Sequence, residues 1–195
     1  MKIPFITISI SSVMMALFVL LGSAPETLVW LADHNDQTWR SISAHFVHSD
    51  TEHLLWNLAA LLILGSIIEQ YSKRDLLIAL LVGILVVNSY LYTLYDLNAY
   101  VGFSGVLNTL LIITLFNLSQ QPHYRDAAIW VLLMSMAKII YELYSEQSVF
   151  SSISWAAVPE AHLAGWIGGI LIVITKTINY FGKNKFQRYK SVVNV

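Results

Sequence analysis

A serine within a short glycine-rich segment is the first residue whose setting suggests chemistry. The segment reads Gly102-Phe103-Ser104-Gly105, and it opens an apolar run that ends near Leu118. If a helix begins at Ser104, the hydroxyl lies beside backbone N–H groups without intrahelical acceptors, at the positive end of the helix dipole. These are the components of an oxyanion site. A plainer interpretation is an N-cap serine between turn glycines, and this segment alone does not separate the two.

A histidine near the start of the last apolar run is a candidate partner for this hydroxyl. An ionisable residue within a membrane span is costly, so His162 is by default a functional candidate. Small residues follow it, including Gly165 and Gly169. They would let a neighbouring helix approach closely, which would bring Ser104 and His162 into the contact that activates a serine nucleophile. The alternative is an interfacial histidine bonded to water.

Two more polar residues share one face of another apolar run. His53 and Asn57 are four residues apart, and this spacing places both on one side of a helix. An imidazole and an amide there could donate hydrogen bonds to a developing oxyanion. Alternatively, they hold helices together.

An opposite-charge pair lies within the fifth apolar run. Lys138 and Glu142 are four residues apart and can pair on one helix face. A lysine at depth in a membrane costs about 2.5–3.5 kcal/mol on insertion scales, so a use for it is expected. The alternative is that Lys138 extends to the outer surface and Glu142 only neutralises it.

The composition indicates the kind of scaffold that must position these residues. The chain has 195 residues, of which 56% are hydrophobic and 12% charged, whereas soluble domains carry about 25% charged residues. This favours an all-α membrane protein whose single domain covers residues 1–195. A net charge of -1 does not point to nucleic acid, and the absence of cysteine excludes disulfides and thiolate sites. No metal or cofactor is expected.

Six segments are apolar enough to be predicted as membrane spans of about 20 residues. The first is interpreted as a retained helix rather than a signal peptide, because its apolar run is too long and its basic flank too small. Residues 182–195 are predicted to form a basic tail in the cytoplasm. The six predicted spans cover residues 3–21, 53–68, 76–95, 104–118, 127–144 and 161–181.

The charged residues predict the orientation of the spans. Basic residues mark the cytoplasmic side of a membrane, and nine of the eleven here fall on one side together with both termini. The other side collects acidic residues and the long polar segment 22–52. The nine are Lys2, Lys73, Arg74, Arg125, Lys176, Lys183, Lys185, Arg188 and Lys190. The acidic residues are Glu26, Asp33, Asp36, Asp50, Glu52, Asp96, Glu146 and Glu160.

The fourth predicted span is unusually short. Its 15 residues extend about 22 Å as a helix, whereas the hydrocarbon core is about 30 Å thick. If it ends at the inner interface, Ser104 lies below the outer surface. Irregular backbone at that depth is tolerated only inside the protein or beside a water-filled cavity, so a buried, water-accessible site is expected there.

Taken together, these motifs resemble the rhomboid intramembrane serine proteases. Four patterns occur in the family's order and in the matching predicted helices, and their combination is far more specific than any one of them. They are Trp39-Arg40, then His48 with His53 and Asn57, then Gly102-Phe103-Ser104-Gly105, then Ala161-His162 with Gly165.

The resemblance implies a role for each of these residues. Ser104 would be the nucleophile and His162 the general base of a dyad without a third acid. His53, Asn57 and the N–H of Ser104 would line the oxyanion hole, with Gly102 and Gly105 shaping it. His48 would shape the outer loop. In this family the fifth helix flanks the opening for the substrate helix, so Lys138 and Glu142 would face that gate and engage the substrate backbone.

Within the family, the chain is most similar to the rhombosortases of the bacterial inner membrane. The amino-acid sequences around His45, Tyr100 and Ala161 are the basis of this narrower resemblance. It implies membrane-anchored exported substrates with a C-terminal Gly-Gly motif, an apolar helix and a basic tail. One residue departs from the pattern, because Asn108 stands where rhomboids have an aromatic residue or histidine. Its amide could hydrogen-bond to His162.

Other functions are less well supported by the residues present. A zinc protease would require His-Glu-x2-His, which is absent, and an aspartyl intramembrane protease would require two membrane aspartates. A haem protein could use His53 and His162 as axial ligands. The remaining alternative is an inactive rhomboid-like protein that binds or escorts membrane clients. Such proteins typically lack the serine or the histidine, and this chain has both.

Overall fold

A computed structural model describes residues 3–33, 36–93, 97–145 and 158–193 of the chain, with side chains described up to residue 180. The predicted positions of Lys2, Asp96 and Glu146 lie outside the described residues. So do the end of the third predicted span, at residues 94 and 95, and the side chains of the predicted tail.

The chain folds as a bundle of helices, and the predicted all-α membrane fold is confirmed. Among the described residues, the six predicted spans correspond to six long helices. One short α-helix, two short strands and the 3₁₀ helices Ala44–Phe46 and Pro122–Tyr124 lie between them. The helices are α1 Phe5–Leu21, α2 Arg40–Ser43, α3 Thr51–Tyr71, α4 Lys73–Thr93, α5 Ser104–Ser119, α6 Arg125–Ser145 and α7 Pro159–Val193. The strands are β1 Trp30–Leu31 and β2 Ala99–Tyr100.

Length and composition qualify several of these helices as membrane spans. Among the described residues, four helices are long and apolar enough to cross a membrane, namely α3, α4, α6 and the part of α7 up to Tyr180. The apolar helices α1 and α5 are shorter, with 17 and 16 residues. The chain is a multi-pass membrane protein. At about 1.5 Å per residue, α5 is only about 24 Å long, which agrees with the short fourth span.

Helix α7 continues beyond its predicted span. The span was expected to end at residue 181, but the helical backbone runs on to Val193. No proline follows position 181, so every residue there can donate its backbone N–H and the helix can continue.

Helix α5 occupies the centre of the bundle. It contacts α3, α4, α6 and α7, and its residues Val106, Leu110 and Ile113 are fully buried. A helix enclosed on all sides must be apolar around its whole circumference, which explains why its sequence shows no polar face. The residues at its first turn are therefore held on several sides.

Glycines allow α5 and α7 to approach to backbone contact. A Cβ atom on Gly165 would lie 1.8 Å from the carbonyl oxygen of Gly105, and one on Gly105 would lie 3.0 Å from the carbonyl oxygen of Ala161. Thr109 joins the same two helices, because its hydroxyl donates a hydrogen bond to the carbonyl of Gly165 at 2.7 Å. The predicted small-residue face is thus the contact surface between these helices.

A buried carboxylate that the sequence did not single out attaches α1 to α3. Glu69 accepts hydrogen bonds from the backbone N–H of Ile6 at 3.1 Å and from that of Thr7 at 3.0 Å. The Thr7 hydroxyl also donates to it at 3.0 Å. These are N–H groups of the first turn of α1, which have no intrahelical acceptor. An acid from a neighbouring helix therefore caps α1.

The long polar segment between α1 and α3 packs onto one end of the bundle, called the loop end below. Strand β1 pairs antiparallel with β2, with Trp30 opposite Tyr100. Arg40 is buried and donates to the carbonyl of Val29 at 3.1 Å and to that of Glu26. The segment that leads into α5 is thereby tied to the α1–α3 connection.

The contact between α5 and α7 leads to a first testable prediction. Gly165→Ala places a methyl group against the backbone of α5, and we expect the protein to be destabilised by about 1–3 kcal/mol or more. Gly168→Ala on the same helix is the matched control, because its Cβ would meet its nearest neighbour, the Thr109 hydroxyl oxygen, at 3.3 Å. Thermal unfolding in detergent measures both variants. Equal unfolding temperatures would contradict the account of this contact.

Candidate active site

The turn that leads into α5 requires glycine at position 102. Gly102 has a φ of 109°, a conformation that glycine adopts readily and other residues rarely do. A Cβ atom there would also lie 2.5 Å from Cε1 of His53. The backbone N–H of Gly102 donates a hydrogen bond to the carbonyl of Ala44 at 2.9 Å. The turn thus packs His53 against the backbone two residues before Ser104.

Ser104 is the first residue of α5 rather than its N-cap. The N-cap is Phe103, which makes no side-chain capping bond. The hydroxyl of Ser104 lies 3.0 Å from Nε2 of His162. The side chain that the plainer interpretation assigned to capping therefore contacts the histidine. The N–H groups of the first turn have no acceptor within the helix.

A carboxylate contacts the other nitrogen of His162. Nδ1 of His162 lies 3.2 Å from Oε2 of Glu142, whose side chain is 0% exposed. An ionised carboxylate can only accept hydrogen bonds, so this contact places a proton on Nδ1. Nε2 is then an acceptor for the Ser104 hydroxyl. The dyad without a third acid, which the resemblance implied, has an acid beside it in this structure.

The charged pair on α6 forms as its spacing suggested. Nζ of Lys138 lies 2.7 Å from Oε2 of Glu142, and the lysine side chain is 32% exposed. One carboxylate oxygen therefore faces both the lysine and the histidine. Whether the pair also faces a substrate gate stays a prediction.

The Asn108 side chain takes a different partner from the one considered. Its amide nitrogen donates to the carbonyl of Ser104 at 2.9 Å, within α5 itself. The structure thus uses this amide in the first turn of the helix, while Glu142 contacts His162.

His53 is oriented by a short chain of hydrogen bonds at the start of α3. The Ser49 hydroxyl lies 2.9 Å from Oδ2 of Asp50 and 3.1 Å from Nδ1 of His53. Because a carboxylate only accepts, the hydroxyl donates to Asp50 and accepts from Nδ1. In neutral His53, Nε2 then carries no proton. Asp50 also caps α3 by accepting from the N–H of His53 at 2.8 Å.

Asn57 lies one turn further along α3 and is buried. Its amide nitrogen donates to the carbonyl of His53 at 2.8 Å. An amide nitrogen carries two hydrogens, so a second N–H remains for another acceptor. The predicted placement of His53 and Asn57 on one face of a helix is the one observed.

His48 and His45 are buried before α3 begins. Burial, together with the neighbouring His53, lowers the pKa of His48 to about 3. Burial lowers the pKa of His45 to about 4, against a hydrogen bond with Asn88. Both rings are therefore neutral near pH 7. The ring of His48 meets that of His53 edge-on at 5.0 Å, so His48 packs against His53. Its role in shaping the outer loop stays a prediction.

The arrangement at His162 suits proton transfer. Among the residues that the structure describes, no group of three or more metal-ligating side chains occurs. Nε2 of His162 lies within hydrogen-bonding distance of Ser104, and Nδ1 lies within hydrogen-bonding distance of Glu142. This is not the setting of an axial haem ligand. A hydroxyl, an imidazole and a carboxylate in line are the groups of an activated nucleophile.

The contacts of Glu142 and Ser49 with the two histidines were missed by sequence reasoning. One signal was present, since a buried acid within a span must find a partner and His162 was expected at a similar depth. No comparable signal marks Ser49.

Comparison with known proteins identifies the family. The family model described as Rhomboid domain matches residues 35–178, a range that contains all the site residues described above. No curated protein matches the chain. The chain belongs to the rhomboid family of intramembrane serine proteases.

Proposed function

We propose that this protein is an active intramembrane serine endopeptidase, with Ser104 as nucleophile and His162 as general base. The observation that carries the proposal is the distance of 3.0 Å between Oγ of Ser104 and Nε2 of His162. This contact is partly buried and occurs at the start of a central helix, where the close approach of α5 and α7 brings the two side chains together. A serine used only for structure would not need an imidazole as its partner.

The reaction follows from the protonation state of His162. Oγ of Ser104 attacks the carbonyl carbon of the scissile peptide, and its proton passes to Nε2. The tetrahedral intermediate collapses when the C–N bond breaks and Nε2 returns the proton to the leaving amine. Water, deprotonated by the same nitrogen, then hydrolyses the ester on Ser104. The products are a new carboxyl terminus and a new amino terminus.

Stabilisation of the oxyanion is assigned to the start of α5 and to α3. The backbone N–H of Ser104 and the second amide N–H of Asn57 are donors at neutral pH. His53 differs from them, because its Nε2 donates only when the ring is protonated. Gly102 leaves room for the ring of His53, and Gly105 leaves room for the close approach of α7.

The substrate class is proposed from the resemblance to the rhombosortases. The substrates are then exported proteins anchored by one apolar helix, with a Gly-Gly motif before it and a basic tail after it. They would reach Ser104 from the lipid bilayer. The buried position of Glu142 leaves Lys138 as the member of the pair that a substrate could contact at the gate.

The localisation is proposed from the distribution of charge. The multi-pass domain of residues 1–195 would lie in a bacterial inner membrane with both termini, including the tail 182–195, in the cytoplasm. The loop end would face outward, because basic residues such as Lys73 and Arg125 lie at the opposite ends of their helices. Cleavage would occur near the outer face.

Loss of either reacting side chain tests the mechanism. We expect Ser104→Ala and His162→Ala each to lower cleavage by at least about 10³-fold, and the double variant to be scarcely worse, because the residues act as a unit. The assay measures cleavage of a reporter that carries the Gly-Gly, helix and basic-tail elements, in proteoliposomes. Thermal unfolding confirms that each variant is folded. Substantial cleavage by Ser104→Ala would refute the serine mechanism.

Asn57 tests the oxyanion assignment. Removal of one oxyanion donor costs about 10²–10³ in kcat, so we expect a loss of that size in Asn57→Ala. Asn88→Ala is the control, because Asn88 is another amide at the loop end, and it contacts His45 at 2.9 Å. If Asn57→Ala lowers the unfolding temperature but leaves kcat per folded molecule intact, Asn57 only joins structural elements.

Introduced cysteines test the orientation, since the chain has none of its own. Thr38→Cys and Asn98→Cys place a thiol at the loop end, and His123→Cys places one at the opposite end; all three positions are exposed. We expect an impermeant maleimide added to intact cells to label the first two and not the third. The reverse pattern would mean that the loop end faces the cytoplasm.

A further inference from the structure

We propose that Glu142 is a positioning residue for His162, so that the site is a serine–histidine–glutamate triad rather than a dyad. This inference rests on the proposed function and deepens it. It concerns the orientation and proton placement of the base, and it assigns to a residue of α6 a role that the resemblance to rhomboids did not imply.

The geometry follows one line from α5 through α7 to α6. Oγ of Ser104 lies 3.0 Å from Nε2 of His162, and Nδ1 of the same ring lies 3.2 Å from Oε2 of Glu142. The two contacts use opposite nitrogens of one imidazole. When both ring nitrogens are hydrogen-bonded, the imidazole cannot rotate about its χ angles without breaking a hydrogen bond. It also cannot change to the other tautomer without breaking one.

The burial of Glu142 argues that its placement has a purpose. The carboxylate is 0% exposed, whereas the side chain of His162 is 13% exposed. Burying a charge is costly unless it is paired and hydrogen-bonded. An apolar residue on α6 would avoid that cost, and Lys138 alone could reach the surface without an acid beside it.

Lys138 compensates the charge of Glu142 in this arrangement. Its Nζ lies 2.7 Å from the same Oε2 that faces His162, and its side chain is partly exposed. The positive charge of Lys138 therefore offsets the negative charge of Glu142. The contact between Glu142 and Nδ1 of His162 remains in place. The pair and the triad are parts of one network rather than alternatives.

The chemical consequence concerns the proton on His162. An acceptor at Nδ1 favours the tautomer in which Nε2 is free to take the Ser104 proton. Once that proton is transferred, the imidazolium lies against a negative charge, which stabilises it. The carboxylate itself gains no proton and contacts no reacting atom.

The gate hypothesis for the same residue makes a different kinetic prediction. A side chain that engages the substrate backbone mainly affects KM. A side chain that positions the base affects kcat, because its contribution appears in the transition state. The two hypotheses are therefore separable in one experiment with the reporter substrate described above.

The experiment compares five variants in proteoliposomes: Glu142→Gln, Glu142→Asp, Lys138→Met with Glu142→Gln, Glu69→Gln and Ser104→Ala. We expect Glu142→Gln to lower kcat by about 10²–10⁴-fold, since a comparable Asp→Asn change in another triad costs about 10⁴, with KM nearly unchanged. Glu142→Asp should recover part of the loss. Glu69→Gln, at the other described carboxylate that is nearly fully buried, should leave kcat per folded molecule unchanged.

The double variant separates positioning from simple charge imbalance. If Glu142→Gln is impaired only because Lys138 loses its partner, removal of both charges should restore kcat. We expect no recovery, because the acceptor for Nδ1 remains absent. The rate of Ser104 modification by a fluorophosphonate should fall in parallel, and this measurement does not depend on the reporter.

Each further outcome overturns a specific claim. An unchanged kcat in Glu142→Gln, a raised KM alone, or recovery in the double variant would refute the positioning role. If Ser104→Ala cleaves and labels like the unaltered protein, the proposed protease mechanism fails instead. Ser104→Ala inactive with Glu142→Gln fully active would leave a dyad.

Discussion

The backbone contact between α5 and α7 is the constraint on which the rest of the site depends. Gly105 and Gly165 meet with no room for a Cβ atom, and Ser104 and His162 lie next to this contact. A hydrogen bond of 3.0 Å between side chains on two helices tolerates little change in helix spacing. Close packing of small residues is a main source of helix association in membranes, so one interaction both holds the bundle together and sets the distance between the proposed nucleophile and base.

Two lines of hydrogen-bonded polar groups lie around this contact. Lys138, Glu142, His162 and Ser104 form one line of hydrogen bonds, and Asp50, Ser49 and His53 form a second. In surroundings of low dielectric such networks are strong when every member is satisfied and costly when one is not. Each line contains a carboxylate that determines which imidazole nitrogen bears the proton. In this account α3 and α6 thus specify protonation states, while α5 and α7 specify position.

Much of this could be predicted from the sequence, and the remainder has a common physical cause. Hydropathy predicted the helices and the short α5, and three of the four motifs singled out Ser104, His162, His53 and Asn57 as candidate site residues. Residue spacing indicates depth along a helix and the face that two residues share. It does not indicate how a helix is rotated against its neighbours, and for that reason the contact of Glu142 with His162 was missed although the pairing of Glu142 with Lys138 was not. The cap that Glu69 provides for α1 also joins residues distant in sequence, and no local pattern marks it.

The central claim is that Ser104 is a nucleophile activated by His162. The most direct measurement treats the purified, folded protein with a fluorophosphonate and identifies the modified residue by peptide mass spectrometry. We expect a single adduct on Ser104 that forms quickly in the unaltered protein and at least about 10²-fold more slowly in His162→Ala. An absence of adduct on Ser104, or equal rates in the two proteins, would contradict this claim.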